Sequence, residues 1–94
     1  MTYTQAIEES LAVSLRHGYP APIFRQMWRA DPSMRMLENM MKQPDIQTGL
    51  KRMAELGLLK HSVEQVVIDY SLNREAVVAA EWRLRMVKQQ RRRA

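Results

Sequence analysis

Residues 62–82, SVEQVVIDYSLNREAVVAAEW, form the segment from which the architecture of this 94-residue chain follows. Two runs with helical spacing of apolar residues flank a break at Ser71-Leu72-Asn73. Because a helix repeats a face every three or four residues, five apolar side chains of this segment are expected to meet in one small core. They are Val66, Tyr70, Leu72, Val77 and Ala80. The pattern predicts two helices that cross at a steep angle through a short turn.

The segment resembles the DNA-binding helix-turn-helix motif of many small bacterial and phage regulators. The residues that carry the resemblance are Val66-Val67, Tyr70-Ser71-Leu72-Asn73, Arg74-Glu75 and Ala76-Val77. The resemblance implies that Val67 lies where the first helix touches the second. It also implies that Ser71 takes a turn position usually held by glycine, and that Asn73 caps a recognition helix that enters the major groove.

The net charge of +5 lies entirely in the second half of the chain. Residues 1–45 carry five basic and five acidic side chains, whereas residues 46–94 carry ten basic and five acidic ones. Six basic residues with no acid among them follow Glu81, namely Arg83, Arg85, Lys88, Arg91, Arg92 and Arg93. Such asymmetry favours an anionic partner, usually nucleic acid, although a solvated basic tail has the same composition.

Helical signals also fill the first half of the chain. Thr2 or Thr4 is expected to cap a first helix over about residues 4–17, and Gly18 suits its end. Pro22 is expected to open a second helix at its first position. Ile23, Phe24, Met27 and Trp28 have helical spacing in that helix and are predicted to belong to the core.

Asp31-Pro32 is a start signal for a third helix, which Pro44 is expected to end. Asp45 is then expected to cap a fourth helix that Gly57 closes. The third helix carries four methionines, Met34, Met36, Met40 and Met41. Because unbranched thioethers adapt to irregular surfaces, these residues form either a loosely packed core or a binding face.

The segment 62–82 continues into a long basic helix. Ser62, with Gln65 in capping-box spacing, favours a helix over the strand that Val66, Val67 and Ile68 would also suit. The last helix is expected to run from Asn73 to Val87 or beyond. Its inner face consists of Val77, Ala80, Leu84 and Val87, and a second apolar stripe consists of Val78, Trp82 and Met86. A helix with two apolar stripes contacts its own core and something more, either a further helix, a second copy or a foreign partner.

The fold class predicted from these signals is all-α. We expect one domain over residues 1–94, a bundle of five or six short helices with a helix-turn-helix-like hairpin and a long basic last helix. No apolar run is long enough for a membrane span, and the N-terminus lacks the features of a secretion signal, so a cytoplasmic protein is expected.

Residues that would support catalysis are sparse. The two histidines, His17 and His61, border breaks and have no carboxylate or second histidine at metal-ligand spacing. There is no cysteine and no glycine-rich phosphate loop. We therefore expect a non-enzyme without a cofactor or a metal.

The first functional hypothesis is a DNA-binding regulator that contacts duplex DNA through the helix-turn-helix and the basic tail. Asn73, Arg74 and Glu75 would lie nearest the base edges, and Arg74 would read guanine by a forked pair. The residues expected at the nucleic-acid interface are Lys60, Ser62, Asn73, Arg74, Arg83, Arg85, Lys88, Arg91, Arg92 and Arg93. The apolar Val78, Ala79 and Trp82 are a poor set for hydrogen bonding to bases.

The second hypothesis is a protein-binding modulator or inhibitor of a nucleic-acid-processing enzyme. Its partner-binding residues would be Met34, Met40, Met41, Val78, Trp82 and Met86, with Tyr19 as a further anchor. A homodimer is compatible with either hypothesis, because the second stripe or the methionines would supply the contact.

Overall fold

Helices make up most of the chain in the computed structural model, which describes residues 1–43 and 48–93. The elements are α1 (Tyr3–Arg16), α2 (Pro22–Ala30), α3 (Met34–Met40), α4 (Thr48–Glu55), a turn of 3-10 helix (Leu59–His61), α5 (Val63–Tyr70) and α6 (Arg74–Arg93). No strand occurs in these two ranges, and the predicted all-α class is confirmed. None of the helices in them has the length and apolar content needed to cross a membrane.

The first helix begins where a local capping signal places it. Thr2 accepts a hydrogen bond from the Gln5 backbone at 3.2 Å, and its own backbone donates to the Gln5 side chain at 2.8 Å. This reciprocal pair is a capping box, which satisfies two amides that the first turn leaves open. Gly18, at φ 86°, takes the left-handed conformation beyond the end of α1. The predicted helix is therefore confirmed, with Thr2 as its cap.

The start of the third helix differs from the prediction. Ser33, not Asp31, is the cap of α3, and its hydroxyl accepts from the Met36 backbone at 3.2 Å. Asp31 instead terminates α2, where its backbone N–H donates to the Met27 carbonyl at 3.0 Å. Both residues are good capping types, and the local sequence does not distinguish between them. The expected roles of Pro44 and Asp45 lie outside the described residues.

The main core joins both halves of the chain. Ile7 of α1, Leu37 of α3, Val67 of α5 and Ala80 of α6 are all 0% exposed and belong to one apolar cluster. A smaller cluster packs α4 against α6 through Leu50, Ala54, Leu84 and Val87. Leu72 was expected in the core and is fully exposed, because it lies in the turn and not on either helix.

Trp28 of α2 packs against α1 and forms a hydrogen bond with it. Its indole Nε1 donates to the Glu8 carboxylate at 2.9 Å, which gives the buried ring a polar partner. The ring lies edge-on to Tyr3, with centroids 6.4 Å apart, and stacks on Phe24 at 6.5 Å. Trp28 is 3% exposed, so its predicted place in the core is confirmed. Ile23 and Met27 of the same helix face solvent instead.

Glu64 is an acid buried in the first turn of α5, where it is 5% exposed. Burial raises the pKa of its carboxyl above the ordinary value, because an ionised group loses its hydration there. The backbone hydrogen bond at Glu64 and the positive charge of Arg83 oppose this rise only in part. The folded chain therefore holds a proton on Glu64 at pH values where the unfolded chain has released it.

This raised pKa predicts a pH-dependent stability. The contribution of Glu64 is fully present below the ordinary carboxyl pKa and is lost as pH rises through the higher pKa of the folded state. We expect the stability of the wild-type chain, relative to Glu64→Gln, to fall over that window and then level off. Urea unfolding from about pH 4 to pH 8 measures the difference. Glu9→Gln, an exposed acid on α1, is the matched control, and an equal pH profile for both variants would contradict the assignment.

Candidate nucleic-acid interface

The turn between α5 and α6 is built from polar side chains. Ser71 has extended backbone angles, φ −80° and ψ 141°, so the position does not require glycine. Its hydroxyl donates to Glu38 of α3 at 2.5 Å and accepts from the Asn73 backbone at 3.0 Å. Asn73 in turn accepts from the Ala76 backbone at 3.1 Å, which confirms it as the cap of α6. These bonds hold the first turn of α6 in a defined direction.

The two helices of the hairpin meet through small and branched side chains. Val67 is 0% exposed and belongs to the same cluster as Ala76 and Ala80. The two alanines leave room on α6 for the larger valine of α5 at the contact. The helix-turn-helix-like hairpin and the long last helix, 20 residues in α6, are thus confirmed as parts of the fold.

Four basic side chains share one open cleft. Lys60 of the 3-10 turn lies beside Lys88, Arg91 and Arg92 from the last two turns of α6. The remaining lining residues are Ala54, Gly57 and Leu59, so none of the acids that the structure describes lines this cleft. All four basic residues are exposed. Lys60 is 28 positions from Lys88 in the sequence, and only the packing of α4 on α6 brings them together.

A basic flank extends from this cleft along α6. Helical residues advance by about 100° each, so Arg74, Arg85, Lys88 and Arg92 lie within roughly 60° of one another around the axis. Glu81 is the acid that interrupts this flank. The first and last of these positions are separated by about 27 Å along the helix, which is the length of roughly eight base pairs.

The neighbouring face of α6 is apolar and open to solvent. Val78 is 51% exposed and Trp82 is 41% exposed, and together with Arg74, Glu75, Ala79 and Arg85 they line a shallow groove. Met86, the third member of the predicted second stripe, is half-buried. The structure therefore leaves Val78 and Trp82 available for contact with another molecule.

Arg83 was expected at the nucleic-acid interface, and its position does not fit that role. The side chain is 2% exposed and points inward from α6. Its guanidinium donates to the backbone carbonyl of Met41 at 3.0 Å and also to that of Gln43. Met41 is the C-terminal cap of α3, where carbonyls lack helical partners and the helix dipole attracts a cation. Arg83 thus anchors the end of α3 to α6.

The spacing of the buried residues along α6 predicts that Arg83 faces the core. Ala76, Ala80 and Val87 are buried and recur at three- and four-residue steps through position 83. The charge of the C-terminal run suggested a surface residue, whereas the helical period places Arg83 on the inner face.

Ser62 is also withdrawn from the surface. It is 1% exposed, and its hydroxyl donates to the Leu59 carbonyl at 2.7 Å while accepting from the Gln65 backbone at 3.2 Å. Its predicted role as the cap of α5 is confirmed, and a phosphate contact does not fit this burial. Gln65 directs its side-chain amide to Asp69 at 2.9 Å and leaves the second half of the expected capping box unmade.

Two of the methionines assigned to a binding face lie in the core. Met40 is 7% exposed and Met41 is 3% exposed, because this side of α3 packs on the main cluster. Met34 is half-buried against the same cluster. Tyr19 is half-buried too, and its hydroxyl lies against Gly49 of α4. The methionines are therefore a core feature of the fold. The side chain of Arg93, also expected at the nucleic-acid interface, lies outside the part of the chain that the structure describes.

The described histidines and acids show no arrangement that would hold a metal. His17 is exposed, and its Nδ1 lies 2.9 Å from the carbonyl of Val13 in the last turn of α1. Within residues 1–43 and 48–93, no group of three or more histidine, aspartate or glutamate side chains converges.

These features define an all-α protein whose C-terminal hairpin carries a basic cleft, a basic flank and an exposed apolar face. Comparison with known protein families, with curated proteins and with solved structures finds no match to this chain.

Proposed function

We propose that this protein is a small regulatory protein that binds duplex DNA through the basic cleft and the basic flank of α6. The observation that carries the proposal is the meeting of Lys60 with Lys88, Arg91 and Arg92 in a cleft that has no acid among its described lining residues. Phosphate groups are the natural ligands of such a cluster, because DNA presents closely spaced negative charges. Arg74 and Arg85 extend the same attraction along the helix.

The distribution of side chains favours phosphate contacts over base reading. The Asn73 side chain accepts the capping bond of α6, and Val78 and Trp82 offer no hydrogen bond acceptor to a base edge. Arg74, exposed in the first turn, is the side chain best placed to read a guanine. We therefore propose that most of the affinity is independent of DNA sequence, and that any discrimination comes from Arg74.

The test is a titration of the full chain with a fluorescent duplex of random sequence over a salt series. If six basic side chains each meet a phosphate, the logarithm of the binding constant should fall against the logarithm of salt with a slope of about −5. The six are Lys60, Arg74, Arg85, Lys88, Arg91 and Arg92. Absence of binding at low salt would overturn the proposal.

Variants locate the interface. Lys60→Gln and Lys88→Gln should each weaken binding and make the slope shallower by about one. Arg16→Gln removes the same charge from the exposed end of α1 and is the matched control. An equal loss in all three variants would show that net charge alone matters, and the cleft would then not be the binding site.

The exposed Val78 and Trp82 favour a second candidate, a protein-binding modulator of a nucleic-acid-processing enzyme. A solvent-exposed tryptophan beside a valine is a typical anchor for a protein partner. The DNA titration over the salt series also distinguishes between the two candidate functions. A protein that fails to bind DNA at low salt but retains its fold would direct attention to this face.

A further inference from the structure

The exposed face of α6 has the spacing of a coiled-coil seam. Glu75, Val78, Trp82 and Arg85 follow one another at intervals of three, four and three residues. This is the spacing of the a and d positions through which two helices pack along their length. All four residues line one groove, and Val78 and Trp82 at its centre are 51% and 41% exposed.

The seam lies on the side of α6 opposite its core-facing residues, with Glu75 at the edge where it also lines a pocket with Glu38 and Lys42. At about 100° per residue, the four positions span roughly 80° around the axis, centred opposite Ala80. Ala80 is 0% exposed and faces the core of its own chain. A second helix could therefore reach the seam without displacing α5.

The seam is also complementary, in shape and in charge, to the same seam of a second chain that runs in the opposite direction. Val78 and Trp82 lie two residues before and after Ala80, and Glu75 and Arg85 lie five residues before and after it. An antiparallel copy centred at Ala80 would place each valine against the partner's tryptophan position and each glutamate opposite an arginine. In antiparallel pairs a positions face d positions, which is the same correspondence. Such a contact is isologous and closes after two copies.

We infer that α6 pairs with α6 of a second copy of this chain in an antiparallel two-fold contact. The contact consists of an apolar centre, Val78 and Trp82 from each copy, between two Glu75–Arg85 ion pairs. This inference goes beyond the proposed DNA binding and does not depend on it. In the pair, Arg85 contacts Glu75 of the other copy, and the other five basic side chains of each copy remain open to phosphate groups.

Pairing would place the two basic clefts at a separation that suits one DNA duplex. The cleft residues of α6 lie about ten residues beyond Ala80, so two antiparallel copies separate their clefts by about 30 Å along the helix direction. The two-fold axis leaves both clefts on the same side of the pair. The separation is close to the ~34 Å repeat of duplex DNA, and one duplex could meet both clefts.

Disulfide trapping tests the direction of pairing, since the chain contains no cysteine. In the Glu75→Cys/Arg85→Cys double variant, the two positions of one helix are about 15 Å apart and cannot be bridged within a chain. Antiparallel pairing brings position 75 near position 85 of the other copy, so oxidation should yield a covalent dimer. Neither single variant should cross-link, because equal positions are then about 15 Å apart. Efficient cross-linking of a single variant would overturn the antiparallel arrangement.

Charge reversal tests the same contact without cysteine. In sedimentation equilibrium up to about 1 mM, the wild-type chain should associate, and Glu75→Arg or Arg85→Glu should each weaken association by about tenfold. The double reversal should restore it, because each ion pair is re-formed with opposite sign. Trp82→Ala should abolish association while far-ultraviolet circular dichroism shows an unchanged helical content.

Two outcomes would overturn the inference. One is a wild-type chain that remains monomeric at about 1 mM, and the other is a double reversal that associates no better than either single change. Lys60→Gln separates this result from the proposed function. It should weaken DNA binding and leave self-association unchanged, whereas Trp82→Ala should abolish self-association whether or not the chain binds DNA.

Discussion

Replacing Arg83 by alanine is expected to lower the free energy of unfolding by about 3 kcal/mol. The side chain is 2% exposed and donates to the carbonyls of Met41 and Gln43, which the truncation would leave without this donor. Since a domain of this size is stabilised by only about 5–15 kcal/mol, the effect is a large fraction of the total. Chemical unfolding followed by circular dichroism measures it.

Arg85→Ala is the matched control for this prediction. Arg85 follows Arg83 by two positions on α6, carries the same charge and is exposed. We expect its replacement to leave stability nearly unchanged in dilute solution, where the chain is monomeric. Arg83→Lys should have an intermediate stability, because a lysine keeps the charge but not the planar set of donors. If Arg83 and Arg85 variants were equally stable, Arg83 would not anchor α3.

Replacing Trp28 by alanine is expected to cost about 3–5 kcal/mol, the range for removing a buried aromatic ring. The change removes the contacts with Tyr3 and Phe24 and the hydrogen bond to Glu8, which together hold α2 on α1. The melting temperature should fall by roughly 15 °C or more. A scanning calorimetry experiment would record the shift.

The second tryptophan of the chain is the control. Trp82 is 41% exposed in the single chain, so in dilute solution, where the chain is monomeric, Trp82→Ala should change the melting temperature far less than Trp28→Ala. Should Trp28→Ala fail to fold, Trp28→Phe keeps one aromatic ring and loses the N–H donor together with part of the buried ring system, at a cost of about 1–3 kcal/mol. Comparable losses of stability from the two tryptophans would show that the face of α6 is buried in the folded protein.

The amino-acid sequence by itself determined where most helices form, with the start of α3, at Ser33 and not at Asp31, as the exception. Thr2, Ser62 and Asn73 cap helices because their side chains bond to amides only three positions away. The periodicity of apolar residues likewise identified the hairpin and the all-α class, since one helix turn relates residues that are near in the chain. Such signals are local, and a single segment contains all the atoms involved.

Only the tertiary structure decided which charged and apolar residues face the solvent. Lys60 joins Lys88 because α4 and the following turn pack on the end of α6, and Ser71 finds Glu38 on a helix 33 positions away. Two sets of apolar residues that both have helical spacing in the sequence differ in their exposure to solvent. Met40 and Met41 are buried by the packing of α3, while Val78 and Trp82 are left open on α6. The burial of a side chain depends on what lies across from it, and neighbours in the chain do not contain that information.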